Sequence, residues 1–523
     1  MRPSESDPFF RCSRLRPGAL TALGVALAAA LAGCAVGPDY HRPDAPLSDH
    51  YREEVPAPAA AASARALTDA GIWVPATPAD TAPRGEWWRV FGDATLDRLE
   101  QQLLQGNQTL AEYEAQYRAA QALLQQAQGG LWPTLGLSGS AARSHSTPGG
   151  ATASVYATGL SASWEPDLWG SVRRSIESQR GKVQASAAQL AGARLSLQAQ
   201  LATAYLQLVV TDRQLAQLRQ SVDTLQAMLT FTRHQLKAGV VAPDTVAQAE
   251  AQVRSQQAQW VARQLTRAQL EHAIAATLGV PPAGFALPAA HAPLTLPYIP
   301  PGLPSTLLQR RPDIAAAERT MAAANAQIGV AEAAYFPSLT LSGSSGFSGS
   351  ALSGLFSAPQ HVWSLGAALA ASLIDGGQRR AAVANAGATY DASVAAYRQT
   401  VLSALQGVED NLAAQRLLTE EEQQQAAAVA AARQAETVIQ HQYRYGMVSY
   451  LAVLTAQNTR LTAENTLWSV RNSQYTAAVA LIAALGGGWG PLTPQAESAA
   501  AQAAGTAGVP AAAASGAATM PGA

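Results

Sequence analysis

The residues that could do chemistry in this 523-residue sequence are few and do not form a catalytic set. Neither a phosphate-binding glycine loop, nor an HExxH helix, nor a nucleophile elbow occurs, so the spacings typical of nucleotide hydrolases, zinc proteases and serine hydrolases are missing. The chain has two cysteines, Cys12 and Cys34. Cys12 lies within a segment that has the character of an export signal, and Cys34 directly follows that segment. We therefore predict that the protein is not an enzyme and uses no cofactor other than a covalent lipid.

Cys34 has the clearest predicted chemistry, because it ends a Leu-Ala-Gly-Cys segment that resembles the bacterial lipobox. Arginines near the start of the chain are followed by an apolar run at 19–32, the order found in export signals. The run is too short for a spanning helix, which needs about 20 apolar residues. We expect residues 1–33 to be a signal peptide and the sulfur of Cys34 to carry lipid; the alternative is a lone thiol. Ala35, rather than Asp, follows the cysteine and implies delivery to the outer membrane.

The amino-acid composition limits the possible partners of the protein and identifies its segments of low complexity. Asp, Glu, Lys and Arg make up 14% of the sequence, and the formal net charge is −1. No sustained basic stripe offers the phosphate contacts that nucleic acids require, so we exclude nucleic acid as a partner. Residues 34–85, rich in Pro, Ala and Asp, are expected to form a lipidated, extended tether. Residues 491–523, nearly all Ala, Gly, Pro and Ser, are expected to form a disordered tail.

An internal duplication fills the remainder of the chain. Three landmarks recur in the same order at a shift of about 205 residues. They are Leu-Trp-Pro-Thr-Leu-Gly-Leu-Ser-Gly-Ser at 131–140 and Tyr-Phe-Pro-Ser-Leu-Thr-Leu-Ser-Gly-Ser at 335–344, Gly-x-x-Arg-Arg at 170–174 and 376–380, and His-Gln-x-Lys/Arg-x-Gly-x-Val at 234–241 and 441–448. We place the repeats at 86–290 and 291–490, each with a helix, a hairpin, a very long helix, a tip turn and a return helix.

The long helices are predicted from missing prolines and a seven-residue apolar step. No proline occurs at 173–238 or at 379–445. At 1.5 Å per residue the first stretch would be about 100 Å long, so such helices must lie side by side as rods. A strict seven-residue step imposes a left-handed supercoil. The step occurs in the first long helix and the second return helix: Leu201, Leu208, Leu215, Val222, Leu229, Leu236; Met447, Leu454, Leu461, Trp468, Tyr475 and Ile482.

Each repeat also contains two strand-like segments, at 134–145 with 155–164 and at 338–347 with 362–374. In the last segment large apolar residues alternate with Gly, Ala and Ser, which is the period of a strand. Lipid tolerates strands only in closed barrels, and four strands are too few to close around water. We therefore predict a mainly α fold with a membrane β-barrel, in which a homotrimer shares about twelve strands and continues as a periplasmic α-barrel. The alternative is a soluble, half-buried pair of hairpins.

These segments resemble the TolC-like outer-membrane factors of tripartite efflux systems, in the branch called NodT. The resemblance covers nearly the whole mature chain. Its most specific pieces are Gly-Cys-Ala-Val-Gly-Pro-Asp-Tyr-His-Arg-Pro at 33–43, Trp-Trp-x-x-Phe-x-Asp at 87–93, Arg-Pro-Asp-Ile-x-x-Ala-Glu-Arg at 311–319, Ala-Tyr-Phe-Pro-Ser at 334–338 and Ala-Leu-Gly-Gly-Gly-Trp at 484–489. It implies an outer-membrane exit duct for small toxic molecules, which works with a periplasmic adaptor protein and an inner-membrane pump of the RND type.

The resemblance also places functional residues in the two turns after the long helices. These turns would form the periplasmic tip, where adaptors dock and the tube narrows to a gate. A glycine after a long helix is itself a good stop, because it readily adopts positive φ. The docking candidates are the two glycines and the residues that follow them: Gly239, Val240, Val241, Gly446, Met447 and Val448. The gate candidates are Tyr443, Tyr445 and Asp244.

This sequence departs from the family pattern at the tip. Family members often place an Asp six residues after the glycine, whereas this chain has Thr245 and Ala452, and Asp244 comes one residue early. Met447 and Val448 stand where polar or charged gate partners are usual. We therefore expect closure to depend on packing rather than on an ionic lock.

Three questions stay open at the level of sequence. His234 and His441 could gather six imidazoles at the tip of a trimer and bind a metal, although solvated histidines at helix ends are the preferred interpretation. The same tube could serve protein or peptide secretion, and a non-conducting coiled-coil lipoprotein would share the heptads and Cys34. The substrate is not encoded in the duct, because in such machines the pump selects it.

Overall fold

The computed structural model describes residues 35–45, 48, 50–53, 85–145, 152–289, 296–297, 299, 304 and 307–487. The predicted signal peptide, Cys34 and the predicted C-terminal tail lie outside these residues. Within the described ranges the chain is mostly helical and contains four strands.

The same order of elements occurs twice along the chain. The helices are α1 (Ala94–Gly106), α2 (Gln108–Gly129), α3 (Ser171–Lys237), α4 (Pro243–Leu278), α5 (Leu307–Arg310), α6 (Pro312–Ala333), α7 (Gln378–Arg444) and α8 (Tyr450–Ala484), with short 3-10 turns at Trp87–Phe91, Pro282–Gly284 and Ala358–Gln360. The strands are β1 (Thr134–His145), β2 (Thr152–Trp164), β3 (Ser338–Gly349) and β4 (His361–Ala370). The series α2-β1-β2-α3-α4 recurs as α6-β3-β4-α7-α8, and α3 and α7 each have 67 residues. This recurrence confirms the predicted fold of two internal repeats with very long helices.

The four strands form one antiparallel sheet in the order β1-β2-β3-β4. Pairing is continuous, from Thr134 opposite Ser163 in the first pair to Ser338 opposite Ala370 in the last. β1 and β4 are the edges of the sheet. Within the described residues each edge therefore presents a row of backbone N–H and C=O groups to no neighbouring strand.

The strand bounds agree with the prediction for β1 but differ for β4. We predicted a strand up to residue 374, whereas β4 ends at Ala370. The apolar residues at 373 and 374 are 89% and 94% exposed. Asp375 already belongs to the turn that leads into α7, because its carboxylate accepts the N–H groups of Gly377 and Arg379 at 3.0 and 3.2 Å. The alternating pattern missed this end because it continues beyond the last residue that pairs with β3.

The seven-residue step marks the buried side of α3 correctly. Among its six predicted positions, two are half-buried and four are buried: Leu201, Leu208, Val222 and Leu229. Met447 is an error in the second series. Helix α8 begins at Tyr450, and Met447 is 66% exposed in the preceding turn. An apolar turn residue had matched the spacing without sharing the seam.

By its internal contacts the chain divides into two compact units. The first takes its described residues from 1–43, 118–184 and 318–395 and contains the sheet. The second takes its described residues from 44–117, 185–317 and 396–523 and contains α1, α4 and α8. Each unit draws on both repeats, so the units cut across the predicted duplication rather than following it.

Charged side chains hold helices together in the second unit. Arg267 of α4 donates to Asp212 of α3 at 2.5 Å and pairs with Glu271 of its own helix at 2.8 Å. A further bond runs from Arg267 to the carbonyl of Leu287 at 2.8 Å. Asp212 is buried, and a buried carboxylate needs such a partner because an unpaired buried charge is costly.

Glu100 on α1 is a buried carboxyl without such a partner. It is fully buried, and neither of its side-chain oxygens has a hydrogen-bond partner among the described residues. Burial raises the pKa of Glu100 to about 9, because the charged form loses its hydration. The indole N–H groups of Trp87 and Trp88 are also buried without an acceptor in the described part of the chain. Glu100 is therefore a neutral acid at neutral pH.

We expect Glu100→Gln to stabilise the protein increasingly as the pH rises. The folded-state pKa of about 9 lies above the ordinary value of 4.5, so the stability linked to protonated Glu100 is complete below pH 4.5 and is lost as the pH rises toward 9. Melting temperatures of the wild type and Glu100→Gln should coincide near pH 4.5 and diverge by pH 9. Glu114→Gln is the matched control, because Glu114 is exposed. Parallel pH profiles for Glu100→Gln and the wild type would contradict this expectation.

Candidate functional site

The two long helices, α3 and α7, each end in a turn of the same type. After α3, Gly239 has φ +71°, and the N–H groups of Gly239 and Val240 donate to the carbonyls of Leu236 and Gln235 at 3.0 and 2.9 Å. After α7, Gly446 also has φ +71°, and its N–H and the next one repeat this pair of bonds at 2.9 Å each. The pattern is a Schellman motif, which requires positive φ at the glycine. The predicted role of the two glycines as helix stops is therefore confirmed.

A small apolar cluster lies beneath these turns in the second unit and joins α3, α4, α7 and α8. Its buried members are Leu225, Leu229, Ala249, Val253, Tyr443, Tyr450, Val453 and Leu454, with Met228, Val246, Ile439 and Val448 packed against it. Tyr443 is buried and donates its hydroxyl to Oε1 of Gln235 at 3.1 Å. Its ring lies 5.6 Å from that of Tyr450. Burial raises the pKa of Tyr443 above its usual value and that of Tyr450 to about 12. The gate candidate Tyr443 therefore ties the two turns of one chain together.

Most of the other predicted site residues are exposed, and the rest are half-buried. We call the exposed apolar set of the turns the tip residues: Val240, Tyr445, Met447 and Leu451. Val241, Val448, Thr245 and Ala452 are half-buried, and Asp244 is exposed in the first turn of α4. There its charge suits the positive end of the helix dipole. Tyr445, at 78% exposure, and Asp244 are thus free to face another molecule.

The two histidines stand at equivalent exposed positions in the last turns of α3 and α7. In that place a cation is favoured by the helix dipole. Among the described residues, no group of three or more His, Cys, Asp or Glu side chains is arranged to hold a metal. The geometry of one chain therefore gives no support to a metal centre at His234 and His441.

The sheet has two chemically different faces. Large apolar side chains share one face with their cross-strand partners, as with Leu137 opposite Leu160 and Leu339 opposite Leu369. The other face carries Ser, Gly, Ala and Thr apart from Val155 and Val362, and Oγ of Ser344 lies 2.8 Å from Oγ of Ser364 across the strands. Several side chains of the apolar face are strongly exposed: Leu135, Leu137, Trp363, Leu365 and Leu369. A sheet with one apolar and one hydroxyl-rich face suits a boundary between lipid and water.

No helix in the described part of the chain is both long and apolar enough to cross a membrane.

One set of contacts in the first unit was not predicted from the sequence. Residues 35–43 were expected to belong to a loose tether, and they are extended, but they lie bound against the start of α3 and against α6. Arg174, which had only been noted as a repeat landmark, donates to the carbonyls of Val36 and Gly37 at 3.2 and 3.0 Å. The recurring Gly-x-x-Arg-Arg motif was the available signal, but the sequence does not show which segment its second arginine holds.

The comparison with known proteins decides the class. The family model described as "Outer membrane efflux protein" matches residues 99–280 and 303–487, which is more than half of the chain. The chain belongs to the outer membrane efflux protein family. This efflux protein is therefore an outer-membrane transport protein, and its family is one of channels rather than of enzymes.

Individual relatives of the efflux protein agree with this assignment. It is 31% identical over 483 residues to the probable efflux pump outer membrane protein TtgC of Pseudomonas putida, covering 89% of this chain and 95% of that protein. It is 30% identical to the outer membrane protein OprJ of Pseudomonas aeruginosa, covering 91% and 97%. Among solved structures, the open state of the MtrE outer membrane channel of Neisseria gonorrhoeae matches with a TM-score of 0.74 and 27% identity, over 87% of this chain and 98% of that one. The resemblance inferred from the motifs, the predicted location and the efflux function are confirmed.

We expect Tyr443→Ala to loosen the turns of the efflux protein. Truncating a buried aromatic residue costs about 3–5 kcal/mol, whereas Tyr443→Phe removes one hydrogen bond worth about 0.5–1.5 kcal/mol. Trypsin cleavage after Lys237, followed by mass spectrometry, should therefore accelerate on the order of a hundredfold in Tyr443→Ala and only several-fold in Tyr443→Phe.

Tyr445→Ala is the control for this comparison, because Tyr445 is 78% exposed and lies two residues away. Its cleavage rate at Lys237 should stay close to that of the wild type. Equal rates for Tyr443→Ala and Tyr445→Ala would show that the cluster does not hold the turns.

Proposed function

We propose that three copies of this chain form the outer-membrane duct of a tripartite efflux pump, and that the duct passes small molecules to the exterior. The observation that carries the proposal is the four-stranded sheet, in which no described strand pairs with the outer edges of β1 and β4 and one face is suited to lipid. In lipid every backbone polar group needs a partner, so the edges must pair with other strands. Three sheets supply about twelve strands, enough to enclose water, which one sheet cannot do.

The helices also offer surface to neighbouring copies. Large apolar side chains stand exposed along α4 and α7 of the single chain: Val261, Leu265, Leu402, Leu417 and Val438. Single exposed apolar residues are ordinary on protein surfaces, but a series of them along α4 and α7 supports side-by-side association of these helices with a neighbouring copy. We propose that these positions are covered in the trimer.

The proposed cargo is small and chemically varied. The hydroxyl-rich face of the sheet carries no Asp, Glu, Lys or Arg on the described strands. Such a lining would neither bind nor repel ions strongly. The names of several relatives refer to antibiotic efflux and toluene efflux. These features support export of drug-like and toxic compounds over secretion of proteins.

We propose that the tip residues serve both closure and docking. Val240 and Met447 are exposed apolar side chains on rigid turns, which is the kind of surface that another protein covers. We assign docking of a periplasmic adaptor to Gly239, Val240, Val241, Gly446, Met447 and Val448, with an RND-type pump beyond the adaptor. Tyr443, Tyr445 and Asp244 are assigned to the gate. We further propose that Cys34 carries the lipid that anchors the chain in the outer membrane.

Paired cysteines test the proposed barrel directly. Ser140→Cys on β1 is combined in turn with cysteine at 364, 366 and 368 on β4, all on the hydroxyl-rich face. At least one pair should give a covalent trimer on a non-reducing gel after oxidation in membranes. Ser140→Cys alone cannot link three chains and is the control. Exclusive cross-linking within single chains would exclude the trimeric barrel.

Conductance in planar bilayers tests the duct and its gate. The wild-type trimer should conduct weakly, because the closed tip restricts the tube. Tyr443→Ala should raise the conductance roughly several-fold, because it loosens that constriction. Tyr390→Ala is the control, since Tyr390 lies on α7 outside the apolar cluster that contains Tyr443. Absence of conductance from cross-linked trimers of both wild type and Tyr443→Ala would overturn the proposed channel function.

A further inference from the structure

Arg174 lies at the start of α3 and holds the segment that directly follows Cys34. We call residues 35–43 the anchor segment. The Arg174 residue is only 5% exposed, and its Nε and Nη2 donate to the carbonyls of Val36 and Gly37 at 3.2 and 3.0 Å. Nη2 also donates to Asp39 at 2.9 Å, and Nη1 donates to Glu177 at 2.8 Å. The planar guanidinium thus contacts two consecutive carbonyls of an otherwise irregular chain, and both flanking carboxylates balance its charge.

Glycines allow the anchor segment to lie flat against the protein. A Cβ added at Gly37 would overlap the Cα of Gly329 on α6, and one added at Gly329 would lie 2.7 Å from the carbonyl oxygen of Val36. Gly170, with φ +84°, passes Ala35 so closely that a Cβ there would lie 2.9 Å from its Cα. Side chains at these positions would push the segment out. The slot is therefore shaped for main chain rather than for side chains.

Further hydrogen bonds fix the path of the anchor segment. The N–H of Val36 donates to the carbonyl of Trp169 at 3.1 Å, and the side-chain amide of Asn325 donates to the carbonyl of Pro38 at 2.9 Å. Trp169 in turn donates its indole N–H to the carbonyl of Pro337 at 2.7 Å. Pro337 immediately precedes β3. The segment is thus bound at the point where the chain enters the sheet.

The second repeat contains the same motif but not the same contacts. Arg380 is the equivalent of Arg174, yet it is exposed and its side chain makes no ion pair or hydrogen bond within the described ranges. A Cβ added at Gly376 would meet nothing within 4 Å. The position equivalent to Gly329 in the first repeat is Gln125, whose side chain would obstruct a flat main chain. Duplication therefore produced two motifs, and among the described residues a chain segment is bound at the first motif and none at the second.

We propose that this slot is a seat for the membrane anchor, and that Arg174 is the positioning residue that fixes where the lipid of Cys34 enters the membrane. The proposal rests on the proposed acylation of Cys34. Only Ala35 separates Cys34 from the bound Val36, so the acylated cysteine can reach no more than about 7 Å from the first fixed atom. The lipid is then held near the end of β2 and the start of β3, rather than at the end of a long flexible tether. It sets the depth of the strands relative to one leaflet.

Hydrogen exchange of the full-length, acylated protein in detergent tests the seat. Arg174→Ala should accelerate exchange of the amides at 36–41 by about ten- to a hundredfold, because it removes charge-assisted bonds that close the slot. Arg380→Ala is the matched control and should leave exchange in this segment unchanged. Gly329→Ala should open the same segment without removing a charge. Its control is Gly387→Ala, since a Cβ at Gly387 would meet nothing within 4 Å.

Assembly in the outer membrane gives the functional measurement. Arg174→Ala and Gly329→Ala should lower the fraction of detergent-resistant trimer several-fold relative to Arg380→Ala and Gly387→Ala. Mass spectrometry of the N-terminal peptide separates the two possible failures. If Cys34 carries no acyl chains, the anchor and its seat are both overturned. If Cys34 is acylated and Arg174→Ala matches Arg380→Ala in exchange and assembly, the seat alone is overturned. Should Arg174→Ala fail to fold, the pair Gly329→Ala and Gly387→Ala decides the question.

Discussion

The need to pair every backbone polar group in a membrane is the constraint on which the rest of this structure depends. The part of the chain that the structure describes contributes one four-stranded sheet, and no described strand pairs with the outer edge of β1 or of β4. An antiparallel sheet with an apolar face can lie in lipid only if those edges are closed by other strands. The proposed trimer follows from this requirement.

The length of α3 and α7 is a second constraint on the structure. Two helices of 67 residues each extend about 100 Å, far more than one globular core can cover. Helix α3 is held by a seam of Leu and Val and by the ion pair of buried Asp212 with Arg267 of α4, and both long helices join a local apolar cluster where they end. Each turn satisfies two carbonyls at its helix end through a Schellman motif. A hydrogen-bonded helix end with exposed apolar residues is suited to contact another protein.

Duplication supplied matching parts that the molecule uses differently. The turn at Gly239 and the turn at Gly446 keep the same φ and the same pattern of hydrogen bonds. The two Gly-x-x-Arg-Arg motifs diverge, because Arg174 is buried by the anchor segment and Arg380 is exposed. The tip also shows unequal use of equivalent residues, since Tyr443 is buried and bonded to Gln235 whereas Leu236, its equivalent in the first repeat, is half-buried. Equivalent sequence positions thus acquire different roles from their neighbours.

The sequence by itself determined the helices, the strands, the duplication and the class of protein. Periodicity, missing prolines and terminal glycines are local properties, so α3, α7, β1 and the two turns could be placed within a few residues. Only the tertiary structure decided which segment fills the slot at Arg174, where β4 stops, and that Met447 leaves the apolar seam. Nor could the sequence show that Glu100 is buried without a partner. These features depend on groups brought together from distant positions in the chain, and no local pattern records which groups will meet.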